Sequence, residues 1–184
     1  MQTFEEKKFN IVELKGISAK TIEEHLKLYA GYVKNTNDLL TSGQYDRRFP
    51  FEYNGMRNHE VYFDSLSDGA KNLNPESELS KKLVETFGSV EIFLTNLKAL
   101  ALTRGVGWAV LWFDKKDNRL ITSWVDEQHL GQLNGCEMIL GLDMWEHSFV
   151  ADYEPSGKKQ YVEDFFINLN WEKIEANYKK LYKI

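Results

Sequence analysis

The chain has 184 residues, a formal net charge of −5 and 42% hydrophobic residues, which is enough apolar material for one large domain or two small ones. The negative net charge, without a dense lysine and arginine cluster, argues against binding to a nucleic-acid backbone. Cys136 is the only cysteine, so an intrachain disulfide is excluded and we expect a reducing, cytoplasmic location. We expect neither a signal peptide nor a membrane span, since no segment has the necessary apolar run.

The first half of the chain has apolar residues at helical spacing. Ser18, Ser77 and Ser89 stand where helix N-caps are expected, and Gly88 and Gly105 stand where helices should end. The predicted helices cover residues 20–42, 51–68, 77–88 and 89–105.

After these helices the pattern changes to alternating residues rich in aromatic and β-branched side chains. This predicts a hairpin with strands at 107–113 and 119–125, joined by the turn "KKDN". The segment "CEMILGLDMW", residues 136–145, predicts a short buried strand. Two terminal helices are expected over 161–166 and 171–182.

The chain contains four histidines, His25, His59, His129 and His147. A single histidine is more often a core or surface residue than a metal ligand. Asp143 and His147, however, are four residues apart at a predicted strand-to-helix junction, so their side chains can project from the same side. Imidazole nitrogens with one carboxylate oxygen suit a first-row metal such as iron, manganese or zinc.

Five segments of the chain resemble the iron/manganese superoxide dismutases. The most specific is "DMWEHSF" at 143–149, which resembles the family's Asp-x-Trp-Glu-His signature. The other segments are "ISAKTIEEH" (17–25), "NGMRNHEVYF" (54–63), "GVGWAVLWF" (105–113) and "DYEPSGKKQYVEDFFINLNW" (152–171). They follow the order of the family and extend over essentially the whole chain.

The resemblance implies an α+β fold, in which an N-terminal helical hairpin precedes a C-terminal domain with a three-stranded antiparallel sheet surrounded by helices. The residue patterns alone indicate the same division. We therefore expect a helical domain over residues 1–87 and an α/β metal-binding domain over residues 88–184.

The resemblance also implies an activity, the dismutation of superoxide to oxygen and hydrogen peroxide by redox cycling of one iron or manganese ion per subunit. Its implied ligands are His25, His59, Asp143 and His147. Glu146 would cross the interface of a homodimer, with a tetramer as the alternative, and accept a hydrogen bond from the partner's metal-binding histidine. The choice between iron and manganese stays open.

Trp108 and Trp145 are expected to surround the metal, and a tyrosine is expected at the entrance to the site. The spacing in the first helix is one residue shorter than in the family, so two alignments compete. One makes His25 the ligand and Tyr32 the gateway, and the other puts Glu24 in the ligand position. We prefer the first, because the loss of a π-bulge would absorb a single deletion.

Iron-type members often carry a glutamine four residues before the second histidine, where this chain has Gly55. Manganese types and several others draw a glutamine or histidine from the loop after the second strand. Gln128 is our first choice for that role and His129 the second. Either side chain could donate a hydrogen bond to solvent bound at the metal.

Two further departures concern the entrance to the site. A histidine–tyrosine pair that spans the family's dimer is replaced by Leu28 or Tyr29 on one side and by Val150 on the other. Of the cations expected to attract superoxide, Lys27 matches a family position. The basic residues after "DY" are absent, and Lys158 and Lys159 are candidate substitutes.

Two alternative functions compete with superoxide dismutase. The first is a dismutase-like structural or interaction protein with lost or weak activity, a class that usually loses metal ligands. The second and weaker alternative is a metal-dependent hydrolase with Glu146 as general base.

Overall fold

The computed structural model describes residues 2–182, which form seven α-helices, two short 3₁₀ turns and one three-stranded antiparallel sheet. The elements are α1 (Ala19–Ser42), α2 (Arg48–Leu66), α3 (Glu78–Phe87), α4 (Val90–Ala101), β1 (Gly107–Asp114), β2 (Arg119–Asp126), β3 (Cys136–Asp143), α5 (Val150–Tyr153), α6 (Lys158–Ile167) and α7 (Trp171–Tyr182). No helix among the described residues is long and apolar enough to cross a membrane. The expected α+β fold is confirmed.

The helical hairpin is formed by α1 and α2. Ser18 caps α1 as predicted, since its Oγ accepts the backbone N–H of Thr21 at 3.1 Å. The helix ends at Gly43, which adopts the left-handed conformation with φ of 69°. Between these caps α1 is a continuous α-helix, so His25 and Tyr32 lie two turns apart on its buried face.

The capping serines of the next two helices are also confirmed. Ser77 accepts the N–H of Ser80, and Ser89 accepts the N–H of Ile92, each at 3.1 Å. The prediction that the second of these helices extends to Gly105 is wrong, because α4 ends at Ala101. There the N–H groups of the next two residues bond to carbonyls three residues back, which tightens and closes the last turn.

The sheet has the strand order β2-β1-β3, with β1 in the centre. The hairpin of β1 and β2 follows the predicted boundaries within one residue. The register of β1 places Trp108 opposite Val125 on one side and opposite Asp143 on the other. The C-terminal end of β3 therefore places Asp143 beside the buried Trp108, next to the helical hairpin.

Asn168, which follows α6, connects the N-terminal segment to the C-terminal helices. Its Oδ1 accepts the backbone N–H of Lys15 at 2.9 Å, and its Nδ2 donates to the carbonyl of Lys15 at 2.8 Å. Nδ2 also donates to the carbonyl of Asp164. The side chain thereby pairs with the backbone N–H and C=O of one residue more than 150 positions away in sequence.

We expect Asn168→Ala to lower the free energy of unfolding by about 2 kcal/mol, since the bonds to Lys15 and Asp164 are lost together. Urea denaturation of the metal-free protein measures this change. Thr95→Ala is the control, because that exposed hydroxyl bonds only to a carbonyl of its own helix and its loss should cost less than about 0.5 kcal/mol. Equal losses in the two variants would contradict the prediction.

Candidate metal centre

Four side chains with metal-binding atoms meet between the helical hairpin and the sheet. His25 comes from α1, His59 from α2, Asp143 from the end of β3, and His147 from the 3₁₀ turn Glu146–Ser148 that follows it. Their candidate ligand atoms all lie within 4.8 Å of one another. Residues distant in sequence thus form one compact cluster.

The cluster is arranged around one carboxylate oxygen, Oδ2 of Asp143. The Nε2 atoms lie 3.2 Å away for His25, 3.5 Å for His59 and 3.1 Å for His147. Ligands bound at about 2.1 Å around one first-row metal ion are separated by similar distances, about 3.0–3.6 Å. The side chains of His25, His59 and Asp143 are fully buried, whereas that of His147 is 27% exposed.

Hydrogen bonds outside the cluster orient Asp143 and leave Oδ2 facing the imidazoles. Its Oδ1 accepts the backbone N–H of Trp145 at 2.8 Å. Its carbonyl accepts the hydroxyl groups of Tyr161 and Ser148, each at 3.0 Å. Both ends of this residue are therefore fixed by the protein.

His59 presents a free nitrogen lone pair to the cluster. Its Nδ1 lies 2.6 Å from the carbonyl oxygen of Gly55 and must donate, because a carbonyl can only accept. In the neutral ring the lone pair is then on Nε2, which is buried without a hydrogen-bond partner among the described residues. A buried acceptor without a partner is costly, and a metal ion at this position would satisfy it.

The ionisation of the cluster suits cation binding. Burial acts to raise the pKa of Asp143, but the charge and hydrogen bonds of His147 and His25 outweigh it and hold the pKa well below the usual range. Burial lowers the pKa of His59 to about 3, with a contribution from the neighbouring His25. The pKa of His25 is lowered too, mainly by burial. Neutral imidazoles beside an ionised carboxylate are the forms that bind a metal.

Aromatic side chains enclose the cluster as expected. The Trp108 and Tyr32 rings each lie 5.1 Å from the His59 ring, and the Trp145 ring stacks on His147 at 5.8 Å. Phe63 packs at 4.9 Å from His25. This shell of rings contributes to the burial of the cluster, and such apolar surroundings keep the local dielectric constant low.

A polar chain runs through this shell from Trp108 to Tyr32. Gln128 is fully buried, accepts the indole N–H of Trp108 at 2.8 Å and donates from Nε2 to the Tyr32 hydroxyl at 3.0 Å. His129, the second choice for the same role, instead packs edge-on against Phe51. Of the two candidates, the structure brings Gln128 to the cluster.

Asn58 holds the loop that carries Gln128, a role that our sequence analysis missed. Its Nδ2 donates to the backbone carbonyl of Gln128 at 3.0 Å. Nε2 of Gln132 donates to the same carbonyl at 3.1 Å and to Oδ1 of Asn58 at 3.3 Å. The available signal was its position directly before His59 in the "NGMRNHEVYF" segment.

The continuous α1 helix decides between the two alignments of the first helix. His25 and Tyr32 face the cluster, whereas Glu24 is exposed and pairs with Lys27, so the Glu24 alternative is wrong. Tyr29 points inward and donates to Glu60, which leaves Leu28 as the residue on the outer surface.

Two of the lysines suggested for attracting superoxide, Lys27 and Lys158, are not free cations at the site. Lys27 bonds to Glu23 and Glu24, and these bonds raise its pKa. Lys158 donates to the carbonyl of Thr103 and lies over the ring of Trp124, so the suggestion that it replaces the missing basic residues is not supported.

Comparison with known proteins gives a consistent result. The family model described as iron/manganese superoxide dismutases, C-terminal domain, matches residues 75–177. The chain is 33% identical to the "Superoxide dismutase [Fe]" of Cupriavidus metallidurans over 90% of each chain. It is 30% identical to the "Superoxide dismutase [Fe]" of Aquifex aeolicus, covering 92% of this chain and 88% of the relative. It is 31% identical to the "Superoxide dismutase [Mn]" of Mycobacterium leprae, covering 84% of this chain and 80% of the relative.

Fold and site together define a protein in which one candidate metal centre, identified among residues 2–182, lies between a helical hairpin and an antiparallel sheet. The match of the family model to more than half of the chain makes the assignment specific. The chain belongs to the iron/manganese superoxide dismutase family.

The depressed pKa of His59 makes the stability of the metal-free protein depend on pH. The unfolded histidine binds a proton below about pH 6.5, but the folded one does not until about pH 3. We therefore expect the free energy of unfolding to decrease as the pH falls from about 6.5 to about 5, by roughly 1.4 kcal/mol per pH unit for this group.

Urea denaturation at several pH values, on metal-free protein, measures this slope. In His59→Gln the slope should be smaller than in the wild type by roughly 1.4 kcal/mol per pH unit, the contribution of one proton. His129→Gln should keep the slope of the wild type. An unchanged slope in His59→Gln would show that this histidine does not stay neutral in the folded state.

Proposed function

We propose that the protein is an iron- or manganese-dependent superoxide dismutase. The observation that carries the proposal is the convergence of three imidazole nitrogens on one buried carboxylate oxygen in a member of this family. Relatives that align over most of the chain are named as iron or manganese superoxide dismutases. A cytoplasmic location stays a prediction, which the single free thiol supports.

In this proposal His25, His59, Asp143 and His147 hold one iron or manganese ion. The donor set fits, since it combines three imidazole nitrogens with one anionic oxygen and includes Nε2 of His59, which is buried without a hydrogen-bond partner among the described residues. The bound ion would supply one-electron redox chemistry, taking an electron from one superoxide and giving an electron to a second. That second half-reaction also consumes two protons to make hydrogen peroxide.

The protein's own part is to hold protons and dipoles beside the ligands. Burial raises the pKa of the Tyr32 hydroxyl, with a further contribution from the charge of Asp143, so this group keeps its proton at neutral pH. Gln128 donates to the Tyr32 oxygen and therefore leaves the hydroxyl proton free to be donated elsewhere. Trp108 fixes which end of the Gln128 amide faces Tyr32, because an indole can only donate.

The presence of all four candidate ligands separates this proposal from that of an inactive interaction protein. An interaction role would place no demand on the three buried ligands, whose burial carries a desolvation cost. A hydrolase with Glu146 as base is not supported, since that residue is exposed and not in the cluster.

Purified protein expressed in iron-enriched and in manganese-enriched medium should contain about one of these ions per subunit, and superoxide dismutation should follow one of the two metals. His59→Gln should lose both metal and activity. His129→Gln is the matched control and should keep both, because that ring packs on Phe51 outside the cluster. Metal-loaded wild type without dismutase activity would refute the proposed function.

We also propose that the protein is a homodimer. His147 is the one cluster residue with a partly exposed side chain, and Glu146 beside it is exposed in the single chain. Leu28 and Leu130 expose 36% and 50% of their surface. A second copy that brings its Glu146 to the exposed side of His147 would complete the burial of the cluster and pair a carboxylate with a ligand ring.

Sedimentation equilibrium should give a dimer for the metal-loaded wild type, and a fourfold mass would identify the tetramer instead. Glu146→Ala should weaken association by about 2 kcal/mol, roughly 30-fold in the dissociation constant, because a buried charge partner is removed. Glu76→Ala removes an exposed carboxylate before α3 and should leave association unchanged. A monomeric wild type at micromolar concentration would contradict the dimer proposal.

A further inference from the structure

Gly55 lies on α2 directly against the ring of Tyr32. A Cβ atom built on this glycine would be 2.6 Å from Cδ1, 2.7 Å from Cε1 and 3.0 Å from Cγ of that ring. Carbon atoms in contact are normally about 3.5–4.0 Å apart. Any side chain at position 55 would therefore require the ring or the helix to move.

The close approach follows from the regular first helix. Tyr32 is seven residues after His25, nearly two full turns of an α-helix, so both side chains leave α1 on the same face. The ring of Tyr32 reaches α2, where it lies 5.1 Å from the ring of His59. Tyr32 is 8% exposed, so little open space surrounds it into which it could shift.

We propose that Gly55 is a positioning residue for Tyr32. The space left by its missing side chain holds the aromatic ring, and only in that position does the hydroxyl lie 3.0 Å from Nε2 of Gln128. The carbonyl of the same glycine also orients His59 through the 2.6 Å bond to Nδ1. One residue without a side chain thus aligns a candidate ligand and the hydroxyl beside it.

The proposal explains why a glycine stands inside a helix, where it destabilises the folded state relative to alanine. It also explains why the amide beside the site comes from the loop after β2. A glutamine at position 55 would occupy the volume of the Tyr32 ring. The relevance of this positioning role to catalysis rests on the proposed function, but the packing between Gly55 and Tyr32 does not.

The first test is the thermal unfolding of metal-free protein in four forms: wild type, Gly55→Ala, Tyr32→Ala and the double variant. Gly55→Ala should lower the midpoint when Tyr32 is present and raise it when position 32 is alanine. The reason for the reversal is that the collision disappears and the better helix propensity of alanine remains. Shifts of the same sign and size in both backgrounds would overturn the proposal.

Gly31→Ala provides the matched control. Gly31 lies in α1 beside Tyr32, and a Cβ built on it meets nothing within 4 Å. This substitution should raise the midpoint in both backgrounds. If Gly55→Ala alone does not fold, recovery of folding in the double variant supports the proposal, and failure of the double variant overturns it.

The second test uses metal-loaded enzyme and Tyr32→Phe, which keeps the ring and removes the hydroxyl. With metal content measured in every variant, Gly55→Ala should reduce the activity per bound ion to that of Tyr32→Phe. The two substitutions together should cause no further loss. Full activity per bound ion in Gly55→Ala would overturn the positioning role. An inactive wild type, combined with the expected reversal of the Gly55→Ala effect in thermal unfolding, would refute only the proposed function.

Discussion

The structure depends on how the buried carboxylate of Asp143 is compensated. An ionised group without contact to water would destabilise the fold by several kcal/mol if it had no partners. Here Oδ1 is bonded to a backbone N–H, and Oδ2 is surrounded by three imidazoles. Those imidazoles come from two helices and a turn, so this compensation exists only when the hairpin and the sheet are assembled.

The same requirement makes the centre a link between the two halves of the chain. Without a cation, three imidazole rings face one negative charge, and Nε2 of His59 is buried beside that charge with no hydrogen-bond partner among residues 2–182. A metal ion would replace these unfavourable contacts by four bonds. Binding free energy at such a site is folding free energy as well.

Much of this arrangement was predictable, because local patterns are strong where a helix or strand has one buried face. The capping serines and the hairpin were indicated by such local patterns, whereas the cluster of His25, His59, Asp143 and His147 was implied by the resemblance to the superoxide dismutase family. The end of α4 was not, since the apolar run "LKALAL" continues the helical pattern through the residues where the last turn tightens and closes. Hydrophobic periodicity does not encode where such a turn stops.

The choice between Gln128 and His129 shows a second limit of sequence patterns. Both belong to a turn in which Asp126 and Leu130 exchange backbone hydrogen bonds and Glu127 has a positive φ of 52°. In such a turn no fixed period determines which of two adjacent side chains faces the interior. The backbone geometry and the hydrogen bond from Asn58 to the Gln128 carbonyl therefore decide that Gln128 points inward.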